Sequence, residues 1–341
     1  HEDLRGAPYD LALDEVKRRA VEAWERGATE VCMQGGIHPD YTGETYVAIC
    51  KAIKEATPGM HIHAFSALEV TQGAATLKQP ISAFLASLQQ AGLGTLPGTA
   101  AEILDDEVRA IICPDKLDTA QWLEVMEAAH EVGIRSTATI MFGHVDAPRH
   151  WARHLLAIRR LQAKTGGFTE FVPLPFVHME SPLWHKGRAR SGPTLRESVL
   201  MHAVARLVLH PLIPNIQTSW VKMGPAGAAI CLEAGANDLG GTLMNESISR
   251  AAGTQHGLEQ RLNLARHVRL IREWRVFLHV QALAHLQLDG VHMVGRRAVM
   301  ARDVAALEAA VEHLAEAAVP GLGHHAVDDG RRATFAVGGA E

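Results

Sequence analysis

The feature that most constrains this chain is an alternation. From residue 11 to residue 241, short β-branched or apolar runs alternate with amphipathic helical stretches, and glycine or proline punctuates nearly every change. Residues 11–26 carry apolar side chains at Leu13, Val16, Ala20, Val21 and Trp24, a helical period that Gly27 stops. An apolar strand at 29–33 follows, then a helix over 42–56 closed by Pro58-Gly59, and a strand at 60–66. The same reading gives helices over 81–91, 100–113 and 119–132, with strands at 93–96 and 134–142. A helix over 148–164 leads into a strand at 169–177, where two prolines predict fraying at Pro173. Beyond a long loop at 178–193 come a helix at 195–209, a strand at 215–222, a helix at 227–233 and a short strand at Asn237-Asp238.

Strand and helix in strict alternation imply a parallel sheet with right-handed crossovers. Seven strand candidates without an order reversal point to an α/β fold of (β/α) TIM-barrel type, apparently lacking its first strand. Residues 1–257 form that partial barrel in this reading. Residues 258–341, rich in Ala, Arg and His, form a tail of another kind, either a helical appendage or an unrelated joined segment.

Composition narrows the function classes. A net charge of −5 gives nucleic acid and anionic membranes no electrostatic reason to bind. No apolar run approaches the roughly 20 residues of a membrane span. Cys32, Cys50, Cys113 and Cys231 form no CxxC pair, which fits a reducing, cytoplasmic setting and leaves no local thiolate cluster in the chain. The start HEDLRGAPYD has neither an initiator Met nor a leader pattern, so the chain is expected to be a piece of a longer protein.

The carboxyl ends of the strands, where barrels place their chemistry, are polar: Gln34 and His38, His63 and Ser66, Thr99 and Glu102, His144 and Asp146, His178, Trp220 and Lys222, Asn237 and Asp238. One such residue is ordinarily a helix cap; together they form an active-site mouth. Two mechanisms could use it. His61 and His63, two apart on a strand, share a face and with His144, His178 and Asp238 could hold a hydrolytic metal. That pair normally lies on the first strand of such hydrolases, whereas here at least one strand precedes it, or two with the strand the barrel lacks. Alternatively Gly35-Gly36 leave bare backbone at a strand end for a zwitterionic ligand. A barrel that only binds a small molecule is the non-catalytic alternative.

The segments MQGGIHPD, MHIHAFSALEV, PGTAAEILDDEVR, MFGHVDAPRHW, GGFTEFVPLPFVH, IQTSWVKMG and GANDLGGTL, in this order, closely resemble a radical S-adenosylmethionine family. It is the 5-amino-6-(D-ribitylamino)uracil–L-tyrosine 4-hydroxyphenyl transferases, which build the deazaflavin Fo, precursor of coenzyme F-420. Futalosine-pathway enzymes of menaquinone synthesis are similar but more distant, with PGGGAEI where this chain has PGTAAEI. The resemblance implies two cofactors, S-adenosylmethionine and a [4Fe–4S] cluster, and two substrates, L-tyrosine and the ribitylaminouracil. It also implies an Fo synthase partner, fused or separate. Carried onto this chain, Gln34, Gly35 and Gly36 hold the methionyl amino group, and Ser66 and Glu102 the ribose hydroxyls. For Glu102 a plain helix-start carboxylate is the alternative. His38, His144 and Asp238 are the catalytic candidates; His63, Trp220 and Asn237 are the substrate-binding ones. The family's CxxxCxxC motif matches nothing in this chain, so no metal ligands are assigned and the chain as given is expected to be inactive.

Overall fold

The computed structural model of the protein describes residues 11–34, 37–241, 249 and 252–254. Gly35, Gly36, the expected boundary at 257 and the tail lie outside the described residues. The element order is α1 (Leu13–Glu25), β1 (Glu30–Met33), α2 (Gly43–Ala56), β2 (His61–Ala64), α3 (Ala67–Thr76), α4 (Ile81–Gln90), β3 (Thr95–Leu96) and α5 (Asp106–Ile112). It continues with α6 (Thr119–Glu131), β4 (Arg135–Phe142), α7 (Pro148–Thr165), β5 (Phe168–Pro175), α8 (Pro182–His185), α9 (Leu195–Leu209) and α10 (Trp220–Glu233).

The five strands form one sheet in the order β1-β2-β3-β4-β5. Every pairing is parallel. Two isolated parallel bridges, Phe171 to Ile216 and Gln217 to Asp238, carry the same sequential winding past β5. This is the winding of a (β/α) barrel, in which each strand is laid down beside the last.

The strand pleat sorts side chains between two faces. Ile62, Leu96, Ala138, Ile140, Phe142, Phe171 and Ile216 are fully buried on the outer face, against the helices. Leu85 and Leu88 of α4, Met126 of α6, Leu155 and Ile158 of α7 and Val208 of α9 meet them, each essentially free of solvent. Burial of each such side chain is worth about 1.5–3 kcal/mol, so this layer holds the sheet and helices together. The alternate residues line the inner face, and many of them are polar, among them His61, His63, Thr95 and Gln217.

Several expectations are corrected. The strand at 60–66 ends at Ala64, because Ser66 caps a further helix, α3, with its side chain accepting from the Glu69 amide. The helix over 100–113 forms only from Asp106, where Asp105 provides the cap by accepting from the Glu107 amide. Pro173 does not fray β5, which pairs with β4 through Pro175. The Phe171 amide bonds Asn215 on one side and the Phe176 amide bonds Phe142 on the other. Strand alternation therefore turns the nitrogens of Pro173 and Pro175 away from β4, and their missing donors cost that pairing nothing. The strand at 215–222 reduces to bridges at Ile216 and Gln217, and residues from Trp220 onward are helical. The short strand at Asn237-Asp238 reduces to a single bridge at Asp238.

Candidate active site at the carboxyl ends of the strands

Beyond β4 the chain turns sharply and Asp146 organises the turn. Its carboxylate accepts the amides of Gly143 (2.9 Å to each oxygen) and His144 (2.6 Å) and the indole N–H of Trp151. Burial works against the charge, but the neighbouring His144 and these donors outweigh it and hold the carboxyl below its ordinary range. The His144 ring is spent on the same turn. Its Nδ1 accepts the Val145 amide at 2.7 Å, so in the neutral ring Nε2 carries the proton and donates to the Met141 carbonyl at 2.9 Å. Burial lowers its pKa, which keeps it neutral.

The β3 end lies directly on β4. The Thr137 hydroxyl accepts the Gly98 amide at 2.9 Å and the Thr139 hydroxyl donates to the Gly98 carbonyl at 2.7 Å. A Cβ on residue 98 would sit 2.7 Å from the Thr137 carbonyl oxygen and 2.8 Å from the Thr139 nitrogen, so only glycine fits. This close approach carries Thr99 and Glu102 over the end of β4, where the Glu102 carbonyl accepts the Met141 amide at 2.8 Å. Glu102 is not on a helix, as the helix-start alternative required; its backbone is left-handed, φ +48°. Lys116 donates to its Oε1 at 2.9 Å. The Thr99 hydroxyl is buried without a hydrogen-bond partner.

The remaining sequence-derived residues fall in distinct settings. Gln34 is exposed at the end of β1, with its amide 3.7 Å from the Cys32 sulfur. The His38 Nδ1 accepts the Asp40 amide at 3.2 Å and the ring packs on Tyr41, so Nε2 carries the proton in the neutral form. Ser66 donates its hydroxyl to buried Glu69 at 2.7 Å. Trp220 opens α10, buried, with its indole donating to the Gly241 carbonyl at 3.3 Å. Asp238 is exposed at the inner face and accepts the Gly240 amide at 2.6 Å. The structure does not bring Asn237 to the mouth. Its side chain accepts from Arg206 and the Ile216 amide, both at 2.8 Å, and donates to the Pro214 carbonyl at 3.1 Å.

His61 and His63 do share a face, but one hydroxyl lies between them: Thr95 Oγ1 is 2.9 Å from His61 Nε2 and 2.7 Å from His63 Nδ1. Those nitrogens are thereby engaged, and the pair does not gather with His144, whose ring is locked into the β4 turn. Among the described residues the acidic and imidazole atoms that do converge belong to Asp105, Glu107 and His150. There the His150 Nδ1 accepts the Ala147 amide at 3.0 Å, so Nε2 bears a proton towards Glu107 instead of a lone pair. Arg153 already neutralises Asp105 at 3.0 Å.

Sequence reading passed over Thr95, Lys116 and Glu170. A lone Glu inside the apolar run TEFVPLP was the available signal for the last of these.

The comparisons agree with this architecture. A model of the Radical SAM superfamily matches residues 2–158, and one of the CofH/MqnC C-terminal region matches residues 165–268. FO synthase of Streptomyces coelicolor is 59% identical over 249 residues, 73% of this chain and 29% of that protein. FO synthase of Mycobacterium tuberculosis is 55% identical over the same span. The chain thus spans under a third of those relatives. The 5-amino-6-(D-ribitylamino)uracil–L-tyrosine 4-hydroxyphenyl transferase of Methanopyrus kandleri is 50% identical over 265 residues, 78% of this chain and 71% of that protein. Methylornithine synthase superposes with a TM-score of 0.54 at 16% identity over 80% of this chain and 74% of its own, a likeness of fold alone. With its strands wound in sequence, its polar mouth and these relatives, the chain belongs to the radical SAM family of 5-amino-6-(D-ribitylamino)uracil–L-tyrosine 4-hydroxyphenyl transferases.

Proposed function

We propose that this chain supplies the substrate-binding barrel of an enzyme that joins the 4-hydroxybenzyl group of L-tyrosine to 5-amino-6-(D-ribitylamino)uracil, the step that leads to Fo and coenzyme F-420. The observation that carries this reading is the arrangement at Glu102 and Thr99. A carboxylate with one oxygen tied to Lys116 stands three residues after a buried hydroxyl that has no partner, just beyond a glycine pressed against β4. Vicinal ribose hydroxyls would complete such a set, with Glu102 to accept from them and Thr99 to pair with them. These residues therefore fit S-adenosylmethionine, with Gly35 and Gly36 proposed for its amino group. Bound there, the cofactor supplies the radical that starts the reaction.

A [4Fe–4S] cluster does not fit the cysteines of this chain. They lie on β1, on α2, just past α5 and on α10. Burial raises the thiols of Cys50 and Cys231 to about 12 and that of Cys113 above its ordinary value, the opposite of what a thiolate ligand needs.

The chain's own residues contribute binding and orientation. Glu102 fixes the ribose, and Asp146 with His144 holds the β4 turn rigid at the mouth. His38 presents Nε2–H as a donor, and the Asp238 carboxylate lies across the inner face as a proton acceptor. An Fo synthase partner, fused or separate, completes the pathway in this reading.

The test is anaerobic turnover by the natural open reading frame that contains this segment, reconstituted with iron and sulfide. A tyrosine–aminouracil adduct, detected by mass spectrometry and dependent on both substrates and S-adenosylmethionine, is expected. Cleavage of S-adenosylmethionine with no adduct would refute the reading.

A further inference from the structure

The inner face of the barrel below the mouth carries a second set of polar groups that the residues above leave unused. Thr95 stands between two imidazoles, and a hydroxyl has a single proton. It donates to one ring and accepts N–H from the other, whichever way it points. With both rings neutral, the two remaining nitrogens, His61 Nδ1 and His63 Nε2, are then necessarily opposite in kind: one is a donor and the other an acceptor. Burial, with His61 adding to it, lowers His63 to about 4, which keeps that ring neutral. Gly94 makes room for the array, since a Cβ there would lie 2.2 Å from the His61 ring.

Across the barrel, Glu170 is aimed inward by a bulge. Ser136 pairs with Phe168 and Ala138 with Phe171, so two residues of β5 oppose one of β4. The extra residue leaves both Phe168 and Phe171 buried outside and turns Glu170 to the inner face, 3.2 Å from the Gln217 amide. Burial first, and then Asp238, raises Glu170 to about 7, so near neutral pH it too presents both a donor and an acceptor.

We propose that His61, His63, Thr95, Glu170 and Gln217 form the subsite for the ribityl chain of the aminouracil. The assignment rests on that compound being the acceptor substrate. A polyol offers, at each carbon, one group that both donates and accepts, which is what this array demands. An amino-acid carboxylate is disfavoured there, because three acidic residues, Glu30, Glu170 and Asp238, share that face against one cation among the described strand residues, Arg135. It pairs with Thr95 and is exposed at the start of β4. A planar ring is poorly served as well. The strand residues facing inward from β1 to β5 are Glu, Cys, His, Thr, Arg, Met, Val and Leu with no Phe, Tyr or Trp among them, whereas Trp220, Trp184 and Tyr41 lie beyond the strand ends. The uracil ring accordingly lies at the mouth with its ribityl chain pointing down into the barrel.

The test is calorimetric titration of the full chain with 6-(D-ribitylamino)uracil, with 6-(methylamino)uracil, and with L-tyrosine. The ribityl compound is expected to bind at least about tenfold more tightly than the methyl compound. Thr95→Val is expected to weaken the ribityl compound about tenfold, about 1.4 kcal/mol, and to leave the methyl compound and tyrosine unchanged. Glu170→Leu, which removes both donor and acceptor at similar size, is expected to act in the same direction and serves if the first variant does not fold. Equal binding of the two uracils, or equal weakening of both by either variant, would overturn the ribityl subsite while leaving the proposed function standing. Failure of both uracils to bind would overturn the two together.

Discussion

Trp151 donates its indole N–H to Asp146 across one turn of chain, which ties the start of α7 to the end of β4. Asp146 also receives the Gly143 and His144 amides, so the carboxylate is the centre of the turn. Removing charge from a buried acceptor of three donors costs about 2–3 kcal/mol. Asp146→Asn is expected to lower stability by that amount in denaturant titration, and to loosen the turn enough to weaken S-adenosylmethionine binding. Trp151→Phe, which keeps the edge contact with Phe142 but loses the N–H, is expected to cost about 1 kcal/mol.

Gly98 is pinned between Thr137 and Thr139 at backbone distances that leave no room for a methyl group. Gly98→Ala is expected to destabilise by about 1–3 kcal/mol through overpacking and to displace Thr99 and Glu102. Thermal unfolding reads the first effect, and cofactor titration reads the second.

Glu102 sets stability and binding against each other. Its left-handed backbone costs a non-glycine residue about 1–2 kcal/mol. Against this, its partly exposed ion pair with Lys116 returns less than about 1 kcal/mol. Glu102→Gly is therefore expected to leave the melting temperature unchanged or raise it, while S-adenosylmethionine affinity falls at least about tenfold. A fall in both would mean that the carboxylate is mainly structural.

Stability should respond to pH in two opposite ways. Burial holds His63 and His130 near 4 in the fold, against 6.5 in the unfolded chain. The unfolded state takes up protons first, so their contribution is complete above 6.5 and is lost as pH falls towards 4, at about 1.4 kcal/mol per unit for each ring. Glu170 runs the other way. Raised from 4.5 to about 7, it stabilises below 4.5 and loses that contribution as pH rises through 7. Glu170→Gln should therefore gain stability over the wild type as pH rises from 4.5 to 7, by up to about 3 kcal/mol. A difference between the two proteins that is flat with pH would show that Glu170 is ionised throughout.

Helices with one apolar stripe and a clear stop were legible residue by residue. The expected α9 has the bounds observed, Leu195–Leu209, because Thr194 and Glu197 form a capping box that the sequence spells out. Where local pattern and long-range pairing disagree, the sequence misled. Ile216, Thr218 and Val221 look like a strand, yet only Ile216 and Gln217 find partners, and the chain turns helical at Trp220. Glu102 stands out in the sequence, but its left-handed backbone follows a contact between Gly98 and β4 made by residues 39 to 41 positions apart. His144 and Asn237 have the chemistry of site residues, but their donors and acceptors are used by backbone and by Arg206.

What the sequence alone determined is the alternation of strand and helix, the barrel winding, the family and the polar character of the strand ends. All of these follow from local periodicity and motif. Only the tertiary structure decided which polar atoms are spent on the fold and which are left over. The hydroxyl between two imidazoles and the bulge that turns Glu170 inward depend on strands that meet by register, and register is a property of packing that no single strand carries.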